Sequence, residues 1–245
     1  MGEENYLPHV SIDCVIFGLT DNSLNALLLK VTGTESWVLP GGYVEKDESI
    51  EDAALHVLKS RTGLTDIYLK QFMTTGNSER SFPDDVRRIC ESLGIEWTEG
   101  HWANKRFISI CYYALIDVNK FKPTGGELEQ EYQWVDIHNL PQMLMDHDNI
   151  LRKGYEALKE NLGNHPIGIN LLPDKFTMPE LQKMYEIILD KTLERSHFQK
   201  KMLRFDIFRR LEERREGVPH KRPFLYRFDE NKYQNELKKG ARFDV

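Results

Sequence analysis

His9–Leu19 alternates loosely between polar positions and Val, Ile, Cys and Phe, the period-two pattern of a strand. Thr20-Asp21-Asn22-Ser23 is turn chemistry, and Leu24–Val31 is a second apolar run, so the two segments are expected to pair as a hairpin. Trp37-Val38-Leu39-Pro40 leads into Gly41-Gly42. From Ser49 the period changes. Ala53, Ala54, Val57, Leu58 and Arg61 recur on neighbouring turns, Ser49 can cap the start, and Gly63 suits the residue after the end, which predicts a helix to about Thr62. Ile67–Thr74, Phe107–Ile116 and Glu131–Ile137 read as further strands from their apolar and aromatic content.

The stretch Asn77–Asn104 interrupts this series. Ser81-Phe82-Pro83-Asp84-Asp85 has Pro and acids where a first helical turn takes them, and Gly94 is a stop, so the insertion is expected to be ordered. Leu140–Leu144 and Asn149–Asn161 read as helices. Gly163-Asn164-His165-Pro166 has no periodicity and marks the expected boundary between a domain of residues 1–163 and one of 164–245.

Beyond the boundary, Thr177-Met178-Pro179-Glu180 is a capping box with Pro in the first turn. Leu181, Met184, Tyr185, Ile188 and Leu189 then follow at i, i+3, i+4, i+7 and i+8. A second helix over Leu193–Arg204 turns Phe198 and Met202, with Phe205 beyond its end, toward a core. Its other faces carry Arg195, Ser196, His197, Gln199, Lys200, Lys201 and Arg204. Asp206–Arg215 and Pro223–Phe228 are expected as two strands around a basic turn.

Charge divides the chain at the same place. Residues 1–165 hold 15 Lys and Arg against 26 Asp and Glu, whereas residues 166–245 hold 18 against 13; the net charge of the whole is −6. A basic C-terminal unit on an acidic chain is the electrostatic footprint of a nucleic-acid binder, although a solvated charged helix has the same composition. Three widely spaced cysteines, Cys14, Cys90 and Cys111, argue against a disulfide framework or a zinc site and suit a cytoplasmic protein. The apolar runs are too short for a membrane span.

Gly41-Gly42, Glu48 and Thr62-Gly63-Leu64 resemble the frame of a Nudix box. Between those ends a hydrolytic box has Arg-Glu, an apolar residue and a Glu-Glu pair. Here the positions hold His56-Val57, Leu58 and Ser60-Arg61. Positions 57, 60 and 61 share one helix face, where carboxylates would gather a hard divalent cation. An apolar group, a hydroxyl and a fixed positive charge do not. The expectation is a Nudix fold with no metal, no cofactor and no catalytic residues. A divergent pyrophosphohydrolase using Glu48 and other acids is the competing enzyme reading.

Leu171-Leu172-Pro173, Phe176-Thr177, Glu180-Leu181-Gln182, Tyr185-Glu186, Phe198 and Lys200-Lys201 resemble the winged-helix half of NrtR-type Nudix-related transcriptional regulators, and Asp146-His147…Ile150-Leu151 also suits them. The resemblance implies an α/β (α+β) Nudix fold with a C-terminal winged helix-turn-helix domain. It implies a homodimeric repressor or activator on a palindromic double-stranded DNA operator, controlled by a small molecule. A subgroup (AraR-type) associated with pentose use points to a sugar such as L-arabinose, and ADP-ribose is the alternative effector. Trp37, Tyr43, Lys46, Glu48, Arg61 and Arg106 are the candidate effector residues. Candidate DNA contacts are Thr177, Arg195, Ser196, His197, Gln199, Lys200, Lys201, Arg204, Arg214, Arg215, Lys221 and Arg222. Arg195 and Gln199 have the donors to read base edges, and Lys200, Lys201 and Arg204 suit phosphates. A binding module whose basic end contacts RNA or protein is the third reading.

Overall fold

The computed structural model describes residues 3–20, 22–65, 67–118, 131–164, 171–217 and 222–239. The chain divides into two compact units, Met1–Thr20 with Leu24–Glu156 and Asp21–Ser23 with Ala157–Val245.

The first unit is built on a seven-stranded mixed sheet. Strands β1 (Tyr6–Leu19) and β2 (Leu24–Lys30) form the expected antiparallel hairpin, with Leu19 opposite Leu24. Strand β3 (Trp37–Val38) pairs with β2, and β4 (Gly41–Glu45) pairs with β1. Strands β5 (Lys70–Thr75), β6 (Ile108–Asp117) and β7 (Tyr132–Asp136) complete the sheet. Strand β6 runs parallel to β1 over ten residue pairs, Val10–Ile108 to Leu19–Asp117. The centre of β1, from Ile12 to Gly18, is buried without alternation, as befits a strand covered on both faces.

Helix α1 (Ile50–Thr62) covers one face. Ala53, Ala54, Val57 and Leu58 pack there with Ile12, Cys14, Ile16, Tyr112 and Ala114. Its predicted ends are both present: the Ser49 hydroxyl accepts from the Asp52 N–H, and Gly63 takes the left-handed conformation, φ 71°. Helix α3 (His147–Asn164) closes the other face at Gly154, where a Cβ would stand 3.2 Å from Val15 and 3.3 Å from Phe72.

The insertion is ordered, as its Pro and acids predicted. It contains α2 (Pro83–Ser92), which buries Val86 and Cys90, and a 3₁₀ turn over Trp102–Asn104. Leu140–Leu144 is not a helix. Its backbone instead joins the sheet edge: Trp37 N–H donates to the Gln142 carbonyl and Leu144 N–H to the Trp37 carbonyl, at 3.3 and 3.0 Å. That pairing satisfies groups that a helix would have paired internally. Gly163-Asn164 is no linker either, because α3 continues through both residues; His165 and Pro166 lie outside the described residues.

The second unit contains α4 (Met178–Leu189), α5 (Arg195–Arg204), the antiparallel pair β8 (Phe208–Arg214) and β9 (Phe224–Phe228), and α6 (Glu230–Lys238). Phe176 adds a single bridge to Tyr226 beside β9. Phe176, Leu181, Tyr185, Ile188, Phe198, Met202 and Leu225 form the buried interior. The Tyr185 and Phe198 rings meet edge to face at 5.4 Å and lock α4 to α5. Cys14, Cys90 and Cys111 are buried and unbridged. Among the described residues no helix is long and apolar enough to cross a membrane.

Candidate functional site

The turn from β4 into α1 is held by side chains at both ends of β4. Arg61 Nε donates to the Gly41 carbonyl at 3.0 Å, and the Glu45 N–H donates to Glu48 Oε1 at 2.7 Å. Glu48 Oε2 also lies 3.5 Å from His56 Nδ1. Val57 is buried against Gly42, where a Cβ would come within 2.8 Å of a Val57 methyl. Ser60 turns its hydroxyl back onto the Val57 carbonyl at 3.2 Å. The α1 face that holds divalent metal in a hydrolytic Nudix box therefore presents a packed methyl, a donor already in use and a guanidinium on a main-chain carbonyl. These residues do not fit a metal ion. Among the described residues no group of three His, Cys, Asp or Glu side chains is placed to hold one.

Beside this turn the insertion supplies aromatic rings. Tyr43 lies 4.6 Å from Trp102 in an edge arrangement and 5.6 Å from both Phe107 and Tyr6, and His9 stands edge-on to Phe107 at 5.6 Å. Burial raises the Tyr43 phenol to about 12, partly offset by the nearby Arg61 charge. The structure thus brings Tyr43, Glu48 and Arg61 of the sequence-derived set onto β4. Lys46, which follows β4, and Arg106, which precedes Phe107, are both exposed. Trp37 does not join them as a platform. It is buried in β3, with Lys30 Nζ over its ring at 6.0 Å. Trp102 was not anticipated; its only sequence signal is an aromatic residue in an insertion shortly before Phe107.

Beneath Gly41 is a buried polar cluster that crosses most of the chain. Arg80, from the insertion, grips Asp146 through Nε at 2.8 Å and Nη2 at 2.9 Å, and donates to the Phe107 carbonyl at 3.1 Å. Asp13 lies 3.8 Å from the same guanidinium and accepts from Ser109 Oγ. The Leu39 N–H donates to His147 Nδ1 at 3.0 Å, which leaves His147 Nε2 as the protonated nitrogen, 3.5 Å from Asp13 Oδ1. The first two residues of the Asp146-His147 motif therefore anchor the start of α3. Gly41 is required there because a Cβ would meet Asp13 Oδ1 at 2.7 Å.

In the second unit, α4 and α5 are joined through Leu193. Glu186 Oε1 accepts from the Leu193 N–H at 2.8 Å and from Gln182 Nε2 at 2.9 Å, and Gln182 donates to the Leu193 carbonyl at 2.8 Å. Those bonds hold the Glu186 carboxyl below its usual value, the Gln182 bond most. Asp190 takes the left-handed conformation, φ 51°, to make the turn. Glu194 caps α5 by accepting from the Ser196 and His197 N–H groups, and these bonds lower its pKa. With Phe198 and Met202 buried, Arg195, Ser196, His197, Lys200 and Arg204 are exposed on α5, and Gln199 and Lys201 are half-buried.

Two candidate DNA contacts are corrected. Thr177 is buried, its hydroxyl spent on the Glu180 N–H. Arg215 is committed to Glu180, with Nη2 at 2.5 and 2.6 Å from the two carboxylate oxygens. Arg214 and Arg222 remain exposed, and Lys221 lies outside the described residues. Arg209 and Arg210 were overlooked although they stand in the predicted strand; both are exposed on β8.

Residues 7–158 match the NUDIX domain family profile. The chain belongs to the Nudix family. Residues 168–228 match the NrtR DNA-binding winged helix domain, so the Nudix unit is followed by a winged helix of NrtR type. A curated relative, the "ADPR responsive transcriptional repressor NtrR" of Acinetobacter baylyi, is 28% identical over 90% of this chain and 82% of its own. The "ADP-ribose pyrophosphatase" of Methanocaldococcus jannaschii is 24% identical over 59% of this chain and 72% of its own. The structure of Shewanella oneidensis NrtR complexed with a 27mer DNA superposes with a TM-score of 0.65 at 21% identity, covering 92% of this chain and 95% of that one. The expected combination of a Nudix fold with a C-terminal winged helix is thereby shown.

Proposed function

We propose that this Nudix protein is a DNA-binding transcriptional repressor, with the Nudix unit as its sensor and the winged helix as its DNA-binding unit. Its Nudix unit binds an ADP-ribose-type ligand and does not hydrolyse it. The carrying observation is α5. Two apolar side chains hold this helix to the core, Glu186 and Gln182 fix its start, and its exposed surface carries Arg195, Ser196, His197, Lys200 and Arg204. A helix so presented can enter a major groove, with Arg195 and Gln199 at base edges and Lys200 and Arg204 on phosphates. Two copies on a palindrome would set these helices about 34 Å apart.

The pentose expectation has no support among the relatives, and Trp37, offered as its ring platform, is buried. ADP-ribose fits the neighbourhood of Tyr43 better. Tyr43 and Trp102, both half-buried, supply aromatic surface for a base with Phe107 buried beside them, while Arg61, Lys46 and Arg106 supply positive charge for a diphosphate without metal. The absence of a fitting carboxylate set on α1 supports sensing over turnover. Ligand binding releases DNA only if the ligand prefers one arrangement of the protein over the other.

The test is a gel shift with DNA upstream of the protein's own gene neighbourhood, titrated separately with ADP-ribose and with L-arabinose. Sequence-selective binding released by ADP-ribose is the expected result. Affinity that ignores sequence sinks the regulator reading, and release by arabinose alone sinks the ligand assignment.

A further inference from the structure

The β8–β9 pair carries an arrangement of charge that its own fold does not neutralise. The guanidinium carbons of Arg210 and Arg214 lie 4.4 and 3.8 Å from the centroid of one ring, Phe224. In a regular strand, side chains four residues apart are separated by roughly 13 Å. Here the register between β8 and β9 shifts between Arg210 and Arg214, and the two long side chains converge. Arg214 is further fixed by donating from Nη1 to the Arg222 carbonyl at 2.9 Å.

Nearby carboxylates are used elsewhere. Glu213 takes Lys175 and Glu180 takes Arg215. Among the described residues no carboxylate forms an ion pair with Arg210 or Arg214. Two exposed like charges held on one ring repel each other, and an anion relieves that repulsion. A guanidinium keeps its planar fork of donors, which matches phosphate in two-point contacts.

We propose that Arg210 and Arg214, organised by Phe224, form a phosphate-gripping site for the diester backbone of double-stranded DNA, and that they position the protein without reading bases. This inference rests on the DNA-binding reading above. It adds Arg210 and Phe224 to the contact surface, in place of Arg215, whose Nη2 is held by both carboxylate oxygens of Glu180.

The full chain and its variants Arg210→Gln, Arg214→Gln, the double variant, Arg214→Lys and Phe224→Leu are titrated with operator and scrambled duplexes across a salt series. Each Gln substitution is expected to weaken both duplexes about equally. The double variant should flatten the slope of log affinity against log salt by about 0.9 for each phosphate released. Arg214→Lys keeps the charge and should keep the slope. Phe224→Leu should also keep the slope while losing roughly two- to fivefold in affinity, the weight of an exposed cation–π contact. An unchanged slope in the double variant overturns the proposal, as does a loss confined to the operator. Wild-type protein that selects no DNA sequence overturns the underlying DNA-binding reading instead.

Discussion

Glu180 and Arg215 meet through one carboxylate that serves two elements. Its Oε2 accepts from the Thr177 N–H at 2.7 Å and closes the capping box of α4, while both oxygens hold the Arg215 guanidinium at the end of β8. The wing strand is thereby tied to the first turn of the helix-turn-helix. Glu180→Ala is expected to cost about 1–2 kcal/mol, roughly 1 from the cap and up to about 1 from a partly exposed ion pair. Glu180→Gln, which can still cap, should cost less. Urea unfolding of the two variants measures the difference: equal losses would show that the capping bond contributes nothing, and no loss in Glu180→Gln would show the same of the ion pair.

The Arg80–Asp146 pair should behave differently because it is buried. Arg80→Ala leaves Asp146 and Asp13 facing a vacated charge site and should destabilise the first unit by about 3–5 kcal/mol. The double replacement Arg80→Met with Asp146→Leu should recover part of that loss. Thermal unfolding compares them, and a negligible effect of Arg80→Ala would mean that water replaces the guanidinium.

Acid should weaken the α4–α5 junction. The Glu186 and Glu194 pKa values are lowered in the fold by hydrogen bonds to their carboxylates. Both groups therefore add stability that is present above the ordinary carboxylate value of 4.5 and is lost as pH falls through the lower folded values. Glu186→Gln should reduce this acid sensitivity. Unfolding midpoints measured on either side of pH 4.5 test the sign.

Alkali should act on Tyr43. Its pKa rises from 10.0 to about 12 through burial. Its contribution to stability is complete below 10 and is lost as pH rises toward 12, because the unfolded chain ionises first. Tyr43→Phe should flatten the stability profile over that interval. An identical profile in the variant would place the phenol in water.

At the proposed effector site, Trp102→Ala is expected to weaken ADP-ribose binding roughly tenfold or more, as loss of an aromatic anchor does, while leaving DNA binding without ligand intact. Calorimetry with ADP-ribose, with and without magnesium, should give the same affinity. Chromatography of the mixture should recover intact ADP-ribose. Magnesium-dependent product would restore the hydrolase reading.

Local chemistry made several elements legible in the sequence. Ser49 and Gly63 bound α1, Pro83 and Gly94 delimit the helical part of the insertion, and Thr177 with Glu180 opens α4. Each signal works within a few residues, where capping and backbone conformation act. The same locality placed Val57, Ser60 and Arg61 together on α1, since their common helix face follows from spacing alone. Leu140–Leu144 misled for the complementary reason. Its apolar content is compatible with a helix, and only the Trp37 main chain, far away in sequence, draws it into the sheet.

The sequence by itself determined the two kinds of unit and the caps of the main helices. Tertiary structure alone decided which polar side chains are occupied. Arg80 finds Asp146 across 66 positions and Arg215 finds Glu180 across 35, so two arginines that look available in the sequence are internal anchors. Arg210 and Arg214 are left outward on Phe224 for the same reason. Charge can be read from composition, but whether it is neutralised depends on which carboxylate folding brings within a few ångströms.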